Sequence, residues 1–213
     1  MFFTRHNPRD LKMTCSTQSM MTVEVLTGDL FDNVMDDVEQ LRLGGYRDWP
    51  YLYVDASKYN QKYFEAFRGN KNAIVLGAFD GSWLVGVSTG APLADVDSGL
   101  ADAFQNSQLD LSDVFYCGES ILLRRYRKKG VGKQFFFLRE LHARELGFKH
   151  ICFCTVVRNT GHPLMPAKYV SLDEFWRARG YEPLNGVIAR SSWRDIGQAS
   201  ETQKTLQFWM KDL

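Results

Sequence analysis

The chain has 213 residues, 45% of them hydrophobic and 14% aromatic, and carries 26 lysines and arginines against 25 acidic residues. That length fits one generous α/β domain with a full core. A near-neutral balance excludes a surface coated to grip polyanions, and no apolar run reaches the roughly 18 residues that a membrane span needs.

In chain order, "MFFTRHNPRDLKMTCSTQSMM" lacks the long apolar stretch of a secretory signal, so residues 1–20 are expected to form a flexible arm ahead of one domain over 21–213. "MTVEVLTG" alternates as a strand does, and Leu30, Phe31, Val34, Val38 and Leu41 then recur at helical spacing. Gly44, Gly45 and Pro50 break the pattern in "GGYRDWPYLY", after which "SKYNQKYFEAFRGN" reads as a second helix stopped by Gly69. Asp80-Gly81 between two β-rich runs, Ala73 to Phe79 and Trp83 to Thr89, predicts a hairpin.

The stretch from Ala91 to Asp113 is polar and partly helical in pattern, and "VFYCGESILL" resumes a long strand. Behind it, Phe135, Phe136, Leu138, Leu141 and Leu146 keep a period near 3.6. "HICFCTVV" is a further strand. "SLDEFWRARG" offers Ser171 as an N-cap, Glu174 to complete a capping box and Gly180 as a stop. Val187 to Trp193 and Leu206 to Met210 close the series as strands. No internal repeat or low-complexity linker marks a domain boundary.

The most informative segment is "RRYRKKGVGKQFF", six basic side chains around two glycines between a strand and a helix. Unpaired amides at a helix start, the helix dipole and the lack of a Cβ at glycine together make a seat for phosphate. A P-loop would need glycine at Arg127 and a hydroxyl residue at Gln134, and a dinucleotide fingerprint would need glycine at Phe135; both patterns fail.

What fits is Arg127-x-x-Gly130-x-Gly132, which resembles the R/Q-x-x-G-x-G/A signature of the GNAT superfamily of acyl-CoA-dependent N-acetyltransferases. "EFWRARGY" is similar to the later helix and Gly-aromatic turn of that fold. "WPYLY", "YCGESILL" and "LQFWMKDL" resemble a bacterial-type branch whose acceptors are mostly unassigned. The resemblance implies an α/β (α+β) fold with a mixed, mostly antiparallel central sheet flanked by helices, with acetyl-CoA as co-substrate. It implies a coenzyme A seat built from the strand end Leu122 and Leu123, the side chains of Arg124, Lys128 and Lys129, and the backbone from Arg127 through Val131 and Gly132 to Lys133. Asn159, after the following strand, stands where many members contact the pantetheine arm. Lys128 replaces a glycine common at its position.

Amide formation from a thioester needs a neutral amine nucleophile and is helped by assistance to the thiolate leaving group. Glu119 shares strand parity with Phe115, Cys117, Ile121 and Leu123, which would set it among apolar side chains as the base; a carboxylate that points to solvent or pairs with an arginine is the competing expectation. Many relatives place a tyrosine acid four residues before the Gly-aromatic turn, where this chain has Trp176; Tyr169 and Tyr126 are the open replacements, or the thiolate leaves unassisted. Tyr46, Trp49, Tyr51 and Tyr53, with Asp48 nearby, suggest an acceptor wall for an amine. Cys117, Cys152 and Cys154 lack zinc-site spacing and read as small core residues, so no metal is expected; together with Cys15 they are few and scattered, which fits a reducing cytoplasm.

The reading is therefore acetyl transfer to the primary amine of a small molecule by direct attack, with no nucleic-acid or membrane partner. A protein N-terminus or lysine as acceptor, and a catalytically silent coenzyme A-binding module, are the competitors. Edge strands and "LQFWMKDL" leave a homodimer open.

Overall fold

A computed structural model describes residues 21–54, 64, 67, 69–96 and 98–213. The expected N-terminal arm and most of the expected second helix lie outside these residues. Phe64 and Phe67, within that helix, are helical, and Phe64 packs edge-on against Phe31 at 6.1 Å.

The described elements run β1 (Met21–Val25), α1 (Gly28–Asn33), α2 (Met35–Arg47), β2 (Ile74–Asp80), β3 (Trp83–Pro92), α3 (Ser98–Ala101), β4 (Val114–Leu122), α4 (Val131–Glu145), β5 (His150–Val156), α5 (Asp173–Arg177), β6 (Glu182–Trp193) and β7 (Thr202–Asp212). The strands form one seven-stranded sheet in the order β1-β2-β3-β4-β5-β7-β6. Every pair is antiparallel except β4 with β5. This is the mixed, mostly antiparallel sheet flanked by helices expected from the sequence. Among the described residues no helix is long and apolar enough to cross a membrane.

One face of the sheet is covered by α4, whose Val131, Phe135, Phe136 and Ala143 pack on Ile74, Leu76, Phe115 and Phe153. The opposite face meets α1 and α2 through Phe31, Val34, Val38 and Leu41, packed on Val75, Leu84 and Val87. Residues in β4 divide between the faces as alternation demands: Phe115 and Cys117 join the α4 side, Val114 and Tyr116 the other.

Three local expectations are corrected. The first helical stripe is broken at Val34, which caps α2 with φ −106° and ψ 4°, so two helices stand where one stripe was read. α2 then continues through Gly44 and Gly45 to Arg47; a Cβ on Gly45 would lie 2.7 Å from Cγ2 of Ile121, so this glycine lets the helix lie close on β4. At α5 the cap residue is Leu172: Ser171 Oγ accepts from the Asp173 amide at 3.2 Å, and Glu174 pairs with Arg177 at 3.0 Å instead of closing a capping box. Gly180 does end that turn, with φ +82°.

Candidate functional site

The two parallel strands are joined only at their beginnings. Val114, Phe115 and Tyr116 pair with His150, Ile151 and Cys152, while β5 pairs with β7 along its whole length. Beyond Tyr116 the strands part into a fork that opens toward their C-terminal ends, where ligands of α/β sheets bind. At its base the Tyr116 hydroxyl lies 3.3 Å from Cys154 Sγ.

A register shift drives β4 away. Ser88 faces Ser120 but Gly90 faces Cys117, so Gly118 and Glu119 together oppose the single residue Thr89. Such a bulge turns all later side chains to the other face. Glu119 and Ile121 therefore point toward α2, away from the face of Phe115 and Cys117, and the shared parity expected for them does not exist.

On the α2 side Glu119 meets Arg42. Arg42 Nε donates to the two carboxylate oxygens at 2.8 and 3.1 Å, and Nη2 donates at 2.7 Å; the side chains are 5% and 7% exposed. The guanidinium lies over the rings of Tyr46 and Phe64, 5.5 and 5.3 Å from their centroids. Pairing with an arginine, the competing expectation for Glu119, is the arrangement found.

The loop after β4 has the features of a phosphate cradle. The amides of Lys128, Lys129, Gly130, Val131 and Gly132 make no hydrogen bond to any described residue, while those of Lys133 and Gln134 close on the Gly130 carbonyl. Gly130 caps α4 in the left-handed region at φ +93°, and nothing lies within 4 Å of where its Cβ would stand. Lys128 is also left-handed at φ +63°, so a lysine occupies a conformation that glycine favours. Five consecutive amides without a described partner, with open space beside Gly130, fit a pyrophosphate.

Among the loop's cations, Arg125 and Lys129 lie over the ring of Tyr126 at 4.9 and 5.1 Å. Tyr126 donates its hydroxyl to Asp80 at 2.6 Å, which anchors the loop to the hairpin and occupies that hydroxyl away from Glu119. Arg124 and Arg127 both reach Asp48, at 2.7 and 3.3 Å, and Arg127 Nε donates to the Leu122 carbonyl at 3.0 Å. A cavity of about 420 Å³ lies there, between Leu41, Gly44 and Asp48 of the α2 side and Ile121, Leu122 and Leu123.

Of the four aromatic residues expected to form an acceptor wall, Tyr46, Tyr51 and Tyr53 come together and Trp49 does not. Tyr51 and Tyr53 turn to Tyr46 and Trp193, with centroids 5.1 to 6.4 Å apart, at the fork. Trp49 turns the other way, to His162 at 5.2 Å and Tyr169 at 5.8 Å, in the loop after β5. Burial, with the Cys154 thiol and the Glu119 carboxylate nearby, holds the Tyr51 hydroxyl well above the ordinary phenol range. Tyr169 has no contact with Glu119; burial raises its hydroxyl as well. Asn159 is exposed, and its carbonyl accepts from the His162 amide at 3.1 Å. Trp176 packs between Phe153 and Trp209, each at 5.1 Å.

Sequence reasoning missed the arginines that hold these parts. Arg158, just past β5, donates to the carbonyls of Pro50 at 2.7 Å and Tyr51 at 2.6 Å, and grips Asp195 at 2.6 and 2.9 Å. It thereby fixes the Tyr51 segment to the β6–β7 connection. Arg42 falls four residues after Val38 and Arg139 four after Phe135, each a charge on an apolar stripe; that position was the available signal.

No family model and no curated protein matches the chain. Solved structures do. An acetyltransferase from Streptococcus agalactiae 2603 superposes with a TM-score of 0.59 at 14% identity, covering 92% of this chain and 99% of that one. An acetyltransferase of the GNAT family from Staphylococcus aureus Mu50 gives 0.58 at 11% identity, covering 91% and 99%. The PaiA N-acetyltransferase of Thermoplasma acidophilum, in complex with coenzyme A, gives 0.56 at 12% identity, again covering 91% and 99%. On this likeness the chain has the fold of the GNAT acetyltransferases.

Proposed function

We propose that the protein is an acyl-CoA-dependent N-acetyltransferase that acetylates a primary amine, that of a small molecule, by direct attack. The observation that carries this reading is the run of five unpaired amides from Lys128 to Gly132 at the head of α4, beside the fork between β4 and β5. Coenzyme A bound in the Thermoplasma relative supports it. Glu119 lies four residues back from Leu123, roughly 13 Å along a strand rising about 3.3 Å per residue, a reach that an extended pantetheine arm covers.

Acetyl-CoA supplies a thioester carbonyl whose C–S bond breaks, the sulfur taking the electron pair, as the C–N bond to the amine forms. The loop amides and the nearby Arg124, Lys128, Lys129 and Lys133 hold the phosphates; Leu122, Leu123 and Asn159 border the arm. Glu119 receives the proton lost by the amine, directly or through water, and Arg42 keeps the carboxylate in place. The Tyr51 hydroxyl, kept protonated by its surroundings, takes the place expected for Tyr169 and donates a hydrogen bond to the departing thiolate, which leaves without being protonated there. Tyr46, Tyr51, Tyr53 and Trp193 offer aromatic faces to a cationic amine, with Trp49 and Tyr169 at the outer wall.

Calorimetric titration with acetyl-CoA tests the cofactor, and release of free thiol with a panel of amines tests the reaction. Saturable binding and amine-dependent thiol release are expected, with Tyr51→Phe slowing turnover by roughly 10². A silent coenzyme A-binding module is the second reading, favoured by the hold of Arg42 on both oxygens of Glu119. Binding without turnover of any amine, unchanged by Glu119→Gln, would establish that reading instead.

A further inference from the structure

Arg139 heads the fully buried side chains by size and is 1% exposed. It stands on the inner stripe of α4, with its guanidinium 4.9 Å from the centroid of the Phe136 ring. Its hydrogen-bond partners among the described residues are three carbonyls: Phe135 at 3.3 Å, Thr89 at 3.2 Å and Glu119 at 3.4 Å. Among the described residues it makes no ion pair. Burying a guanidinium costs several kcal/mol, and an apolar residue of similar volume would pack as well. The fold therefore carries a charge here that packing does not ask for.

The partners say where that charge is aimed. Thr89 and Glu119 face each other across the bulge. The Glu119 amide donates to Thr89 Oγ1 at 2.8 Å, its carbonyl accepts from Ser88 Oγ at 3.1 Å and from Arg139, and its carboxylate is held by Arg42 from the opposite face. Two buried arginines, one from each side of the sheet, thus fix a single residue where β4 leaves β5. In a water-poor interior a cation acts more strongly than at the surface.

We propose that Arg139 is a positioning residue for acyl transfer: it fixes the bulged peptides of β4 and sets a buried positive charge beneath the fork, where the thioester carbonyl gains negative charge during attack. The inference rests on the acetyltransferase reading. Stabilisation by a pre-placed charge is the general device for such a carbonyl, since it needs no rearrangement when the oxyanion develops.

The test reads the carbonyl itself. The infrared stretch of carbonyl-¹³C acetyl-CoA is recorded bound to the intact protein, to Arg139→Met and to Arg139→Lys, with coenzyme A and acetyl-CoA affinities measured in parallel. The stretch is expected to fall to lower frequency on the intact protein, to return most of the way in Arg139→Met and to lie between in Arg139→Lys. Coenzyme A affinity should stay within about threefold throughout. A folded Arg139→Met that binds acetyl-CoA with an unchanged stretch overturns the proposal, as does an equal loss of both affinities with no spectral change, the mark of a merely structural role. Should Arg139→Met fail to fold, Arg139→Lys and Thr89→Val decide by the same reading. An intact protein that binds no acetyl-CoA would instead remove the acetyltransferase reading, and this inference with it.

Discussion

Arg42 and Glu119, 77 residues apart in sequence, form a buried ion pair in which the guanidinium engages both carboxylate oxygens between α2 and the bulge of β4. Removing one partner strands the other charge. Arg42→Met is expected to cost about 3–5 kcal/mol, and Arg42→Met combined with Glu119→Gln less than the sum of the two single changes. Urea unfolding of the four proteins of this cycle measures the coupling; additive effects would show that the pair carries no mutual stabilisation.

The cradle makes a sharper prediction for binding. A side chain at Gly130 would extend into open space at the head of α4, one at Gly132 would meet the Phe175 ring at 3.6 Å, and a carboxylate at either position repels phosphate. The double change Gly130→Asp, Gly132→Asp should abolish acetyl-CoA binding in calorimetry. Lys128→Gly, by contrast, relieves a left-handed lysine at φ +63° and should shift stability by no more than about 1 kcal/mol in either direction. Retained binding in the double variant would move the phosphate seat elsewhere.

Arg158 joins Pro50, Tyr51 and Asp195, and both its side chain and that of Asp195 are 8% exposed. Burial by itself would raise the Asp195 carboxyl, but hydrogen bonds and charge from Arg158 and Lys204 outweigh it and hold the group below its ordinary range. Arg158→Ala should lose about 3–5 kcal/mol and loosen the Tyr51 segment. Faster hydrogen exchange at the Tyr53 and Ile196 amides, which bond to Tyr46 and Leu52, is the local readout; unchanged exchange would contradict the anchoring role.

Alkaline pH should weaken the fold. Burial pushes the Cys117 and Cys154 thiols from 9.0 up to about 11, with the Arg139 charge and the Tyr116 hydrogen bond working the other way. A folded state that keeps these protons longer than the unfolded chain is stabilised below pH 9, and that part is lost as pH rises toward 11. The urea midpoint measured on either side of this window should fall, and Cys154→Ser should reduce the fall. A flat profile would mean that the thiols are solvated.

Alternation and turn chemistry are local, and so the strands, the Asp80-Gly81 hairpin and the helix behind Gly132 were all legible in the sequence. The glycine spacing pointed to free amides from Arg127 to Gly132; those from Lys128 to Gly132 have no described partner, whereas the Arg127 amide donates to the Arg124 carbonyl at 3.2 Å. Other features exist only between segments. A bulge is a mismatch of count between neighbouring strands, so the turning of Glu119 toward α2 could not be read from β4 alone. The glycines of α2 looked like breakers until Ile121 supplied the reason for close approach. Likewise the partners of Arg42, Arg139 and Arg158 come from distant parts of the chain. Periodicity marks where a charge meets the core; only the folded chain decides which charge or carbonyl receives it, because burial makes an unpaired ion costly and the nearest partner is set by packing.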